Sequence, residues 1–253
     1  MFKIGDVVTR NSYGNDIVFE IIDMNGNNCV LKGIDVRLYA DSNVEDLKLF
    51  LDKRDDNFFP LIDTVEKLDR NEYFYLPGKI LHIDGDKDYL NKCLSFYKKN
   101  NIKAYGIYLK ESEFEHKVGE LLDKYKPDIL VLTGHDAQFK RREKGNQYKN
   151  TSYFVNAVKE ARKYEKSHEK LLIIAGACQS DYEELIKSGS NFASSPKKIN
   201  IHALDPAIIA SYLAFSDKNK NIDLINILDK TKYGASGIGG IITKGTMYIG
   251  YPR

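Results

Sequence analysis

Two apolar runs in this chain each end in a residue able to attack a carbonyl or carry a proton. The first is Asp128-Ile129-Leu130-Val131-Leu132-Thr133-Gly134-His135-Asp136, and the second is Leu171-Leu172-Ile173-Ile174-Ala175-Gly176-Ala177-Cys178-Gln179-Ser180. A thiol and an imidazole are the parts of nucleophilic acyl transfer, in which the thiolate attacks and the ring hands the proton to the leaving group. The separation, 178 − 135 = 43 residues, accommodates one strand–helix–strand unit with a long loop around Gln138 to Asn150. Parallel sheets place function at the carboxyl ends of their strands, so neighbouring strands would bring His135 and Cys178 together. Cys178 also precedes polar Gln179-Ser180-Asp181 at an expected helix start, where the partial positive charge favours a thiolate. The competing reading of Cys178 is a packing residue, the ordinary role of a buried cysteine.

The elements that must position these residues follow from apolar spacing. From Pro77 onward strands and helices alternate. Strands are expected at Lys79–Asp84, Lys103–Leu109, the run to His135, the run to Cys178 and Lys198–His202. Helices are expected at Asp88–Lys99, Phe114–Tyr125, Phe154–Glu165, Tyr182–Lys187 and Pro206–Ala214. Pro127 stops one helix and opens the strand toward His135. This order implies an α/β domain over 77–253, with a mainly parallel sheet covered by helices on both faces. Residues 1–45 read instead as β: Val7-Val8, Ile17–Ile22, Cys29–Ile34 and Val36–Tyr39, with an Asn25-Gly26 turn, imply a small barrel of SH3-like type. Residues 46–76 read as a connector, with helical spacing over Val44–Leu51 and Leu61–Leu68.

Bulk properties narrow the function classes. The chain has 253 residues, 42 % of them hydrophobic, and a formal net charge of +2, which gives no reason to expect nucleic acid as a partner. No stretch approaches the about 20 apolar residues that span a bilayer, and Met1–Asp6 lacks a signal-peptide core, so a cytoplasmic protein without a membrane partner is expected. Cys29, Cys93 and Cys178 are widely spaced and odd in number, which points to neither a disulfide framework nor a Cys-rich zinc site.

Several short motifs add a family likeness. Gly5-Asp6-Val7-Val8, Leu76-Pro77-Gly78, His82-Ile83-Asp84-Gly85-Asp86, Leu132–Asp136, Ala175–Ser180, Asn191–Pro196, Ile201–Pro206 and Gly237–Gly240 together resemble the YabG family of sporulation-specific peptidases, over nearly the whole chain. The apolar-run-plus-His and apolar-run-plus-Cys pattern is similar to the wider caspase–gingipain–clostripain group. The resemblance implies a caspase-like α/β fold, His135 and Cys178 as a catalytic pair, and no cofactor. It also implies a cysteine endopeptidase acting on spore coat and germination proteins, in the mother-cell cytoplasm of an endospore former or in association with the coat. Asp136 stands where the wider group keeps a glycine, so the oxyanion would be held by the backbone amides of Asp136 and Cys178. If the enzyme cuts after Arg or Lys, the acid that reads the cation comes from Asp84, Asp86, Asp136 or Asp205, which all follow predicted strands.

Other readings of the same residues stay open. His82, Asp84, Asp86, His135, Asp136, His202 and Asp205 could hold a divalent metal for hydrolysis, although no tight ligand spacing such as His-Glu-x-x-His occurs. Asp205 before Pro206 reads equally as a helix cap. Gly234–Gly240 lacks the Lys-Ser/Thr ending of a phosphate cradle and reads as a turn or cleft edge, with Ile241-Ile242-Thr243 as a strand after it. Asn191–Pro196 reads as a cleft wall or crossover. Lys140–Lys144 reads as a solvated loop or a self-cleaved segment. A non-enzymatic coat-binding module is the third class.

Overall fold

The computed structural model describes residues 2–51, 71–141 and 145–252, with the backbone alone for residues 139–141 and 145–147. The chain divides into two compact units, Met1–Phe59 and Pro60–Arg253.

The first unit is a five-stranded antiparallel sheet of β1 (Val7–Arg10), β2 (Phe19–Asn25), β3 (Asn28–Gly33), β4 (Tyr39–Asn43) and β5 (Leu47–Leu49), in the order β4-β3-β2-β1-β5. Alternation does the sorting, since successive strand residues face opposite sides. Val8, Phe19, Ile21, Cys29, Leu31 and Leu47 form one buried cluster. The turn between β2 and β3 is shifted by one residue from expectation. Asn25 pairs with Asn28, so Gly26 and Asn27 are the central residues, and the positive φ (59°) falls on Gly26. The helical spacing of Val44–Leu51 produces no α-helix. Val44–Asp46 form a single 3-10 turn, and Leu47–Leu49 return as β5 beside β1, because one buried leucine there completes the sheet core. The expected helix Leu61–Leu68 lies outside the described residues.

The second unit contains, in chain order, β6 (Phe74–Leu76), β7 (Ile80–Asp84), α1 (Lys87–Lys99), β8 (Ala104–Tyr108), α2 (Phe114–Tyr125), β9 (Ile129–Thr133), β10 (Gln138–Arg141), β11 (Gly145–Tyr148), α3 (Thr151–Tyr164), β12 (Leu172–Ala175), α4 (Tyr182–Lys187), β13 (Phe192–Ser194), α5 (Asp205–Phe215), α6 (Leu224–Asp229), β14 (Ile238–Gly240) and β15 (Tyr248–Gly250). Six strands make one sheet in the order β14-β13-β12-β9-β7-β8. All neighbours are parallel except β14, which runs antiparallel to β13. The central strands β7, β9 and β12 are buried at every residue, as a sheet covered on both faces requires. Helices α2 and α3 pack together over one face, around Leu81, Ile83, Leu130, Leu132 and Ile173, while α1 and α5 cover the other.

Three expectations are corrected here. Lys198–His202 is not a strand. The strand that follows Cys178 is β13, only three residues long, and it lies in the segment read as a cleft wall or crossover. Ile241–Thr243 is not a strand either. The glycine-rich run itself supplies β14, and a Cβ at Gly240 would sit 2.7 Å from Asn191 O and 2.5 Å from the Phe192 ring. Glycine there permits close strand approach rather than a phosphate cradle. Gly240→Ala should therefore destabilise the protein by about 2 kcal/mol, read as a lower urea midpoint, because a backbone oxygen cannot yield as a flexible side chain would. The loop after His135 is the third: its backbone forms the hairpin β10–β11, with Gln138 opposite Tyr148. Of the Lys140–Lys144 run, residues 142–144 lie outside the described residues.

Candidate active site

Strand β7 has β8 on one side and β9 on the other, so the connections diverge at the carboxyl ends of β7 and β9, where open α/β sheets form crevices. Strand β12 lies beside β9 in register, with Ala175 opposite Leu132. His135 and Cys178 each lie three residues beyond that register pair. The backbone thus brings both to the same end of two adjacent parallel strands.

His135 is gripped through main chain and ring. Its N–H donates to Glu111 Oε1 (2.8 Å), and its carbonyl accepts from Asn150 Nδ2 (2.7 Å). The ring, one-fifth exposed, has Asp86 Oδ2 at 3.6 Å from Nε2 and Glu111 Oε1 at 3.8 Å from Nδ1, with the Tyr89 ring 5.8 Å away. Both carboxylates are placed to balance an imidazolium. Glu111, at the start of a 3-10 turn after β8, did not emerge from the sequence patterns. A faint signal existed. A Cβ at Gly85 would meet Glu111 Oε1 at 2.2 Å and one at Gly134 would meet it at 2.5 Å, yet neither glycine has the positive φ that glycine alone tolerates well. Their missing side chains make the slot that the glutamate occupies.

Cys178 sits in a tight turn between Gly176 (φ 108°) and Gln179 (φ 60°). A non-glycine residue in the left-handed region is held there only by its surroundings. Gln179 N–H donates to Ser195 Oγ (3.1 Å), and Gln179 Oε1 accepts from Gln138 N–H (3.3 Å). The thiol is fully buried, and its sulfur accepts the Ile201 N–H at 3.2 Å. The expected helix-start effect is absent: α4 has only six residues, and its N-cap Asp181 spends its carboxylate on Glu184 N–H. The donor facing the sulfur comes instead from the extended segment that sequence spacing presented as a strand.

The other two cysteines have different settings. Cys93 Sγ lies against Ala203 O at 3.5 Å within the α1 core, and Cys29 lies in the first unit, where burial pushes its thiol pKa up. Neither setting favours a thiolate.

Asp84, Asp86 and Asp136 lie at or just past strand ends, whereas Asp205 opens α5 because the strand expected before it does not form, and all four carboxylates engage the chain itself. Asp84 is fully buried, accepting from Thr133 Oγ1 (2.9 Å) and Asp86 N–H (2.9 Å). Thr133 Oγ1 accepts from His82 Nε2 (2.7 Å), and His82 Nδ1 meets Tyr97 OH (3.0 Å), an order of donors that assigns the proton to Nε2. Asp86 caps α1 through Asp88 and Tyr89 N–H while facing His135. Asp205 is not the cap of α5. Leu204 is, and buried Asp205 accepts His202 N–H (3.0 Å) and Lys232 N–H (2.9 Å), joining two loops. Asp136 binds Ala137 and Asn150 N–H (both 2.8 Å), Ser180 Oγ (2.9 Å) and Thr151 Oγ1. Among the described residues, no group of three or more His, Cys, Asp or Glu side chains is arranged to hold a metal ion.

The family model described as YabG peptidase U57 matches residues 3–59 and 52–252, so both units are covered. The chain belongs to the YabG peptidase family. It is 40 % identical, over an alignment of 286 residues spanning 99 % of this chain and 98 % of the relative, to the sporulation-specific protease YabG of Bacillus subtilis (strain 168). Membership makes the chain a peptidase. The YabG match also includes the small β unit. Among the described residues, no helix is long and apolar enough to cross a membrane.

Proposed function

We propose that this chain is a sporulation-specific cysteine endopeptidase whose Cys178 and His135 form the catalytic pair. The observation that carries the reading is the β9–β12 register, which gives imidazole and thiol equivalent positions past two adjacent strands. Cys178 Sγ attacks the scissile carbonyl as His135 manages its proton, and the same ring then protonates the leaving amine. Water next hydrolyses the thioester and restores the thiol. The oxyanion is held by the backbone N–H groups of Asp136 and Cys178. In support, the Asp136 N–H has no acceptor among the described residues, which leaves it available to a substrate oxygen. Because the sulfur is fully buried and lies against the Ile201 backbone, attack requires a local opening there.

The proposed substrates are spore coat and germination proteins, in line with the name of the Bacillus subtilis relative, and the proposed place of action is the mother cell or the coat. The five-strand meander with β5 returning to β1 supports an SH3-like first unit, and the helix-covered parallel sheet supports a caspase-like second one. Preference for a basic residue before the cut remains part of the proposal. Asp84 and Asp205 are fully buried and bonded to backbone N–H groups. Asp86 is also buried and takes the Asp88 and Tyr89 N–H groups on Oδ1, but its Oδ2 lies 3.6 Å from His135 Nε2, so it is the candidate beside the proposed catalytic ring.

Two measurements test this reading. Iodoacetamide should alkylate Cys178 at least about tenfold faster than Cys93, with activity lost in step, since a paired thiolate reacts where a core thiol does not. His135→Ala should lower kcat by about 10³-fold and slow that alkylation. Equal labelling of the two cysteines, with activity unaffected by modification of Cys178, would refute the assignment.

A further inference from the structure

We infer that the Asp136 side chain is the positioning residue that sets Cys178 against His135, a role resting on the Cys178–His135 reading above. Its carboxylate faces four donors, and two of them are relays from the cysteine turn. Ser180 Oγ, fully buried, donates to Asp136 Oδ2 (2.9 Å) and accepts the Ala177 N–H (2.9 Å). Thr151 Oγ1 donates to the same oxygen and accepts the Asp181 N–H (3.0 Å). Residues 177 and 181 flank Cys178, so the turn carrying the sulfur is held at both ends and both holds converge on one oxygen. The other oxygen takes Ala137 and Asn150 N–H, and Asn150 Nδ2 in turn holds the His135 carbonyl (2.7 Å). One buried side chain, next in sequence to the imidazole, therefore governs both partners.

The chemistry suits only an acceptor. A carboxylate offers lone pairs on both oxygens, whereas an asparagine would turn an NH₂ toward hydroxyls or N–H groups already committed as donors. The left-handed Gln179 beside the sulfur is a conformation that needs such outside support. Fixing the carboxylate also fixes the direction of the Asp136 N–H, the proposed oxyanion donor. Small displacements of a nucleophile of this kind reduce turnover far more than binding.

The test uses the full chain and an internally quenched peptide selected from a random library by cleavage with the unmodified enzyme. Asp136→Asn should lower kcat about 100-fold with KM within about threefold. Should that variant fail to fold by circular dichroism, Ser180→Ala and Thr151→Val each cut one relay and should lower kcat about tenfold, and Thr151→Ser, which keeps the hydroxyl, should recover most of the loss. Folded Ser180→Ala and Thr151→Val enzymes with the kcat of the parent overturn the proposal, as does a fully active Asp136→Asn. Cys178→Ala and His135→Ala are measured alongside. If both are inactive while the relay variants are active, only the positioning role falls. If Cys178→Ala cleaves, the catalytic reading falls and takes this one with it.

Discussion

Cys178→Ala should abolish peptide cleavage, by at least about 10⁴-fold in kcat, while leaving a folded protein. Alanine retains no group able to form the acyl intermediate, and none of the neighbouring hydroxyls replaces it: Ser180 Oγ is engaged with Asp136 and Ala177 N–H. The structural cost is small. The substitution removes one sulfur that accepts the Ile201 N–H at 3.2 Å, which is worth about 1 kcal/mol, so the circular dichroism spectrum and urea transition should stay close to those of the parent. Cys93→Ala provides the contrast. It removes an equally buried thiol from the α1 core and should cost a similar, small amount of stability without costing turnover. Cleavage retained by Cys178→Ala would show that another nucleophile does the work.

Arg162→Ala should give the largest loss of stability, about 3 kcal/mol or more in urea denaturation, with little effect on KM. The guanidinium on α3 donates through Nε to Gly189 O (2.8 Å) and through one terminal nitrogen to Glu165 O, Ser167 O and Leu171 O. The other terminal nitrogen donates to Asn191 Oδ1 (2.7 Å). Asn191 is buried and repeats the pattern, accepting Ile173 N–H (2.9 Å) and donating to His168 O (3.0 Å). The cluster ties the start of β12 to the entry of β13. Burial pulls the Arg162 pKa down to about 10, opposed by Glu165, so the group remains charged at neutral pH. Truncation leaves several carbonyls short of a donor at once. Arg162→Lys should recover only a fraction of the loss, because an ammonium is a compact charge that cannot reproduce a planar fork of donors. An unfolding midpoint unchanged in Arg162→Ala would show that water replaces the fork at no cost.

The strands and helices around the candidate site were legible because their signals are long. The run Ile129–Leu132 is apolar at every position and β9 is buried throughout, as a strand covered on both faces must be, and α2 and α4 occupy the spans their spacing predicts. Short elements were not. Strand β13 has three residues, too few for any period, and its place in the sheet comes from pairing with Ile174 and Ala175. The glycines of β14 read as a turn because their use is to make room for distant side chains, Gly239 for Tyr182 and Gly240 for Phe192, the latter 48 positions away (240 − 192 = 48). Val44–Leu51 carried a helical spacing that the return to β1 overrode.

What the amino-acid order determined by itself was the candidate residues and the strands that precede them: His135 after β9 and Cys178 after β12. Local chemistry suffices for that, since apolar runs choose extended backbone and glycines stop them. Which acids serve which purpose was decided only by the tertiary structure. Asp84 and Asp205 turn inward to backbone N–H groups, Glu111 reaches His135 from the far side of β7, and Asp136 gathers the relays from Ser180 and Thr151. A carboxylate goes to whichever donors the folded chain presents, and those donors come from segments dozens of residues away, where no spacing rule extends.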